Sequence, residues 1–212
     1  MNGRWTFDSR CMRKTVTETA VHTREENGRM IDTGVVYGRF QVLHLKHMEY
    51  ILAAKMRCQK LYIGITLPDN LYIPEDEADD YRLTKAANPM TYFERFEMIR
   101  DSVLDFGVPR MEFDIIPFPI ERPEYLPGYV PADAVYFLSI CDERTKKNEE
   151  LFEKLGLETE VLWRREESEK GVTGAQVRQR ILGSEKWSDL VPRTVYDYVI
   201  SHGIDSRIKF TK

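Results

Sequence analysis

The stretch Gly38-Arg39-Phe40-Gln41-Val42-Leu43-His44-Leu45-Lys46-His47 sets two histidines three residues apart behind an arginine. On a helix that spacing puts both imidazoles on one face. A helix N-terminus already offers free N–H groups and the positive end of the dipole, both of which favour a phosphate. Imidazole N–H donors and the Arg39 guanidinium suit the same group. Together they match phosphoryl or nucleotidyl transfer, which needs charge neutralised where negative charge builds in the transition state. A second cluster is Thr173-Gly174-Ala175-Gln176-Val177-Arg178. Thr173 and Gln176 have the spacing of a capping box, and Arg178 follows about a turn later. Cap and anion site are compatible readings, because the cap shapes the N-terminus that would face a phosphate.

Such residues need a scaffold that brings several helix N-termini to one edge. From residue 31 onward short apolar runs alternate with helical stretches, the pattern of an α/β fold with a parallel sheet flanked by helices. The expected strands are 33–40, 61–66, 111–116, 134–140 and 160–163. Helices are expected at 45–58, with Leu45, Met48, Leu52 and Met56 inward, and at 90–106, with Phe93, Phe96, Val103 and Phe106 inward. Others are expected at 143–155, 174–182 and 192–202, the last two forming a small C-terminal helical region. The five prolines of 117–131 predict an irregular surface loop. Residues 1–30, including His22, read as a flexible or loosely packed leader, and 31–212 as a single domain. In a sheet of this kind the ligand lies beyond the carboxyl ends of the strands, where helices begin.

Composition narrows the chemistry. The 212 residues are 42% hydrophobic and 11% aromatic, enough for a true core. Basic and acidic residues number 31 and 35, a net charge of −4, so no global field draws the chain to nucleic acid. Cys11, Cys58 and Cys141 are odd in number and widely spaced, which points to a reduced cytoplasm and away from a zinc cluster. No stretch has the length of a membrane span or the form of a signal peptide. There is no GxGxxG after the first strand and no P-loop. The acidic run Glu75, Asp76, Glu77, Asp79 and Asp80 lacks the spacing of a calcium loop and reads as a solvated segment able to close over substrate. His202, in the last turn of a helix, suits the dipole there.

Residues 38–47 resemble the GRFQPxHxGH signature of nucleotidylyltransferases, most of all the archaeal-type nicotinamide mononucleotide adenylyltransferases. Three further segments are similar in order: Asn88-Pro89-Met90-Thr91 with Glu94-Arg95, Ile116-Pro117-Phe118-Pro119-Ile120, and Thr173 to Arg178. The likeness runs from about residue 34 to 205. It implies a Rossmann-like nucleotidyltransferase fold and transfer of AMP from ATP to a phosphorylated acceptor, by default nicotinamide mononucleotide, with release of pyrophosphate. It further implies Mg2+ carried on the phosphates rather than by protein ligands. Arg39, His44, His47 and Arg178 take the catalytic roles in this resemblance, and Gly38, Phe40, Gln41, Lys46, Thr173 and Gly174 bind nucleotide.

On the acceptor side the resemblance points to Asn88 and Arg95. Archaeal-type enzymes carry a stacking Trp after the third strand; here Tyr125 or Tyr129 offers the aromatic face, or simply packs. Arg164, leaving the last strand with Trp163 and Arg165, offers a guanidinium to an acceptor phosphate or belongs to a solvated charge run. Two departures matter. Lys46 stands where the motif has glycine, and either crowds adenine and changes the base preference or swings toward phosphate. Ala175 replaces a threonine and removes one hydroxyl. A cytidylyltransferase acting on another phosphate or phosphonate is therefore one alternative, and a nucleotide-binding regulatory protein without turnover is another. The expected partners are ATP or another nucleoside triphosphate and a small phosphorylated acceptor, with no nucleic acid and no membrane. A second copy of the chain remains open as a partner.

Overall fold

The computed structural model describes residues 30–67, 84–169 and 171–210. The leader, His22 and the acidic run at 75–80 lie outside the described residues. One sheet holds five parallel strands: β1 (Ile31–Gly38), β2 (Cys58–Ile65), β3 (Phe113–Pro117), β4 (Val135–Ile140) and β5 (Thr159–Arg164). Their order is β3-β2-β1-β4-β5. Around it lie α1 (Leu45–Lys55), α2 (Tyr92–Asp105), α3 (Glu143–Lys154), α4 (Gly174–Leu182), α5 (Arg193–Ser201) and α6 (Ile204–Phe210). The expectation of a parallel sheet between helices therefore holds.

Successive residues of a strand point to opposite faces, so β1 feeds two cores. Val36 joins Met48, Ile51, Met98 and Val195 on one face. Val35 joins Phe118, Leu126, Tyr136 and Phe152 on the other. Strand order reverses between β1 and β4, and the two strands pair only at Gly34–Val135 and Val35–Tyr136, whereas β1 and β2 pair from Ile31 to Gly38. The ladder thus ends early, and a crevice opens beyond the carboxyl ends of β1 and β4. This is where an open α/β sheet takes its ligand.

Several expected details are corrected. In α1 the inward residues are Met48, Ile51 and Ala54, while Leu45 and Met56 are exposed. The helix ends at Lys55, whose ammonium donates to the Cys58 carbonyl at 3.0 Å, and β2 begins at Cys58 itself. In α2 the buried stripe is Arg95, Met98, Ile99, Ser102 and Val103, with Phe93 and Phe106 left outside. An arginine and a serine hid the true three- and four-residue spacing. The proline-rich loop after β3 is anchored by buried Phe118 and by Leu126 within a short 3-10 turn, Pro123–Gly128. A third C-terminal helix, α6, was not anticipated. Gly203, at a left-handed φ of 64°, turns the chain, and Ile204 and Ile208 then bury one face of α6.

Candidate active site

The N-terminus of α1 is closed by the two histidines themselves. His44 is the N-cap; its Nδ1 accepts from the His47 backbone N–H, and His47 Nδ1 accepts from the His44 backbone N–H, each at 3.3 Å. The rings stack with centroids 3.6 Å apart. A ring nitrogen that accepts carries no proton, so each neutral imidazole keeps its proton on Nε2. The cap therefore fixes the tautomer and leaves two Nε2–H donors for a ligand. Burial pushes His44 down to about 3. His47 is held well below its ordinary value by burial, and further by the neighbouring His44 and Arg39. Both rings are neutral at physiological pH, so at Nε2 they can only donate hydrogen bonds, and the positive charge beside them belongs to guanidinium groups.

The turn leading to this cap is held from both sides. Phe40 takes a left-handed φ of 52°, and its ring meets His47 edge-on at 4.9 Å. The Gln41 side-chain amide donates to the Met90 carbonyl at 2.9 Å and accepts from the Met90 N–H at 3.0 Å. The buried Arg178 guanidinium donates to the Gln41 carbonyl. The start of α4 packs so closely here that a Cβ on Gly174 would stand 2.5 Å from the Gln41 oxygen. The expected capping box of α4 is present, with Thr173 Oγ1 accepting from Gln176 N–H at 3.2 Å and Gln176 Oε1 accepting from Thr173 N–H at 2.9 Å. Two helix N-termini are thereby brought against one turn.

They open on a cleft of about 960 Å³. Gly38, Arg39, Phe40, Gln41, His44, Lys46, His47, Thr173, Gly174 and Arg178 all line it. The residues singled out on the acceptor side do not. Arg95 is fully buried and spends its donors on the carbonyls of Arg39, Thr66, Leu67 and Thr91, at 2.8–3.2 Å. It fixes the exits of β1 and β2 from behind. Asn88 is buried and donates to Thr84 O at 3.0 Å. Glu94 completes the α2 cap with Thr91 and pairs with Arg207 at 2.7 Å, so the motif around Asn88 to Arg95 is a framework. Tyr125 and Tyr129 are exposed outside the cleft, Tyr125 under the Arg122 guanidinium. Arg164 points away from the cleft and forks onto Glu149 at 2.6 and 3.0 Å. Alternation along β5 sends Trp163 and Arg165 inward instead.

Sequence reasoning missed the exit of β4. Asp142 caps α3 in a box with Thr145, and Arg144, Lys147 and Asn148 of its first turns line the same cleft as the histidines. Neither Arg144 nor Lys147 forms an ion pair with a described residue. Asn148 donates to the Tyr37 hydroxyl at 3.2 Å, and burial pushes that phenol up to about 12, so Tyr37 stays a neutral donor. The signal was available: a buried strand followed by Asp-x-x-Thr is the same strand-to-cap pattern that marked the other two helix N-termini.

The chain is 43% identical over 177 residues to the phosphonoformate cytidylyltransferase of Streptomyces viridochromogenes, a match covering 84% of this chain and 95% of that protein. It belongs to the nucleotidyltransferase superfamily. It is an enzyme of that class. This nucleotidyltransferase is also 28% identical to a nicotinamide-nucleotide adenylyltransferase of Saccharolobus solfataricus, over 83% of the chain and 94% of that protein. No family model matches it. Among solved structures it resembles a bifunctional NMN adenylyltransferase/ADP ribose pyrophosphatase of Francisella tularensis, with a TM-score of 0.62 at 15% identity, over 85% of the chain. The chain spans about half, 53%, of that structure, so this likeness carries the Rossmann-like fold alone. Among the described residues no helix is long and apolar enough to cross a membrane.

Proposed function

We propose that this enzyme transfers CMP from CTP to a small phosphonate carrying a second acid group, phosphonoformate being the first to test, and releases pyrophosphate. The observation that carries the reading is Lys46: it lines the cleft at the motif position that adenylyltransferases of the resembling family fill with glycine. The 43% identity to a protein named for that reaction supports it, as do Arg144 and Lys147, two cations that line the cleft and pair with no carboxylate among the described residues. Adenylyl transfer to nicotinamide mononucleotide, which the 28% relative brings to mind, is the second reading. Against it stands the exposure of Tyr125 and Tyr129 outside the cleft, which leaves no aromatic from the loop after β3 for nicotinamide.

In the proposed step a phosphonate oxygen of the acceptor attacks the α-phosphorus of CTP in line, and the bond from α-phosphorus to the bridging β-oxygen breaks. The bridging oxygen keeps the electron pair and leaves as pyrophosphate, so no covalent enzyme intermediate forms. His44 and His47 donate Nε2–H to phosphoryl oxygens; Arg39 and Arg178 offset the charge; the N-terminus of α4 at Thr173 and Gly174 receives the departing phosphates. Among the described residues no three His, Cys, Asp or Glu side chains gather as a metal cage. The Mg2+ of this reading would arrive on the triphosphate and offset its charge there. Among the described residues Cys58 and Cys141 form no disulfide, which fits a reducing cytoplasm, where we place the enzyme.

Pyrophosphate release across CTP, ATP, UTP and GTP, each with phosphonoformate, a monoacid phosphonate and nicotinamide mononucleotide, tests the reading. The expected result is turnover with CTP and phosphonoformate. Turnover only with ATP and nicotinamide mononucleotide replaces it by the second reading.

A further inference from the structure

Lys46 forms part of the cleft wall. Its ammonium meets Glu49 at 2.6 Å, and its methylenes lie over Gly171, where an added Cβ would stand 2.8 Å from Lys46 Cε. The other oxygen of Glu49 meets Arg165 Nη2 at 2.7 Å. The Arg165 guanidinium lies over the Trp163 ring, 4.3 Å from its centroid, and the indole N–H donates to Ser139 Oγ at 2.6 Å. An unbroken chain of contacts thus runs from β4 through β5 to the first turn of α1. An isolated exposed pair would hold little, but one carboxylate shared by two cations, one of them stacked on an indole, has a defined geometry.

This network splits the cleft into two electrostatic ends. At the β5 end the cations are answered by Glu49 and backed by an aromatic ring, which suits an uncharged nucleobase. At the α3 end Arg144 and Lys147 pair with no carboxylate among the described residues, which suits an anionic acceptor. Resting on the cytidylyl reading, we infer that Glu49, acting through Lys46, selects the nucleobase. On this inference the Lys46 methylenes admit one six-membered ring and crowd the fused rings of adenine, while the ammonium donates to the acceptor edge of cytosine at N3 and O2. Lys46 touches the base; Glu49 is a positioning residue that keeps the ammonium on the wall.

The test is binding of CTP and ATP to the purified enzyme by calorimetry without acceptor, with kcat and KM for both nucleotides where an acceptor is found. Glu49→Gln keeps shape and removes the charge that holds Lys46. It should lower the CTP-over-ATP preference roughly tenfold, through nucleotide Kd and KM rather than kcat. Lys46→Gly should lower it at least as much, while Lys46→Met, which keeps bulk, should weaken CTP without admitting ATP. Because Glu49 works through Lys46, the Lys46→Gly, Glu49→Gln double variant should match Lys46→Gly alone. An unchanged preference in Glu49→Gln, or additive losses in the double variant, overturns the inference. So does a wild-type enzyme that binds ATP more tightly than CTP. Tight CTP binding with no turnover of any phosphonate overturns the proposed reaction and leaves base selection standing.

Discussion

The reciprocal histidine cap makes folding stability depend on pH in a window that few other groups share. In the unfolded chain His44 takes up a proton near 6.5, whereas in the folded protein burial holds it down to about 3. Between those values the unfolded state binds more protons, so stability is complete above pH 6.5 and drains as the pH falls. At pH 5, one and a half pH units below the ordinary value, about 1.4 kcal/mol per pH unit makes the loss about 2 kcal/mol from His44 alone. Protonated Nδ1 could no longer accept the His47 N–H, which is the structural face of the same loss. Glu49 and Glu94 also lie below their ordinary value of 4.5, held by cations, but their stabilisation is lost only as the pH falls below that value. The interval from pH 6.5 to 5 therefore isolates the histidines. His44→Asn preserves an N-cap acceptor and removes the titrating ring. Urea unfolding at pH 7, 6 and 5 should show the wild type losing about 2 kcal/mol more than the variant by pH 5, about 4–8 °C in Tm for a chain of this size. Parallel profiles for the two proteins would show that His44 is not held neutral by the fold, and the donor role assigned to its Nε2–H would fall with it.

Three more outcomes bear on the site. His47→Ala should lower kcat by a hundredfold or more, about 3 kcal/mol of transition-state stabilisation, while urea unfolding shows only the loss of one cap, about 1 kcal/mol; an unchanged kcat would falsify its catalytic assignment. Arg95→Met leaves the carbonyls of Arg39, Thr66 and Leu67 without their buried donor and should destabilise by about 3–5 kcal/mol by urea unfolding, although Arg95 does not line the cleft; a loss below 1 kcal/mol would remove its framework role. Gly174→Ala places a Cβ 2.5 Å from the Gln41 oxygen and should cost about 1–3 kcal/mol of stability together with weaker nucleotide binding by calorimetry. Full affinity in that variant would mean that α4 need not approach the turn so closely.

What was legible in the sequence divides along a physical line. The His44, His47 and Thr173 clusters could be read because their residues act through local spacing: three apart at a cap, or Thr-x-x-Gln before a helix. Arg95 could not, because its role is set by carbonyls brought together from three separate segments, and no local spacing distinguishes an arginine that binds ligand from one that binds backbone. The same holds for α2, where Phe93 and Phe106 looked like the core stripe by hydrophobicity alone. An arginine with a carbonyl partner at each guanidinium nitrogen is as buried as a phenylalanine, so the stripe runs through it.

β5 shows the converse. Trp163, Arg164 and Arg165 are adjacent and chemically alike enough that composition treats them as one charged exit. The pleat separates them: Arg164 leaves for Glu149 on α3, and its two neighbours turn into the cleft. A single residue of register would exchange these roles, because strand side chains alternate with period two. The cleft wall at Trp163 and Arg165 therefore depends on where β5 enters the sheet, in the pairing of Tyr136 with Thr159 and the irregularity between Leu138 and Ser139 that precedes the Ser139–Trp163 pair. Without that irregularity the indole would miss Ser139, Arg165 would lose its stacking platform, and Glu49 would hold Lys46 with nothing behind it. The position of Lys46 on α1 is in this sense tied to the register of an edge strand some 115 residues further along the chain, which is why no reading of the α1 motif by itself could contain it.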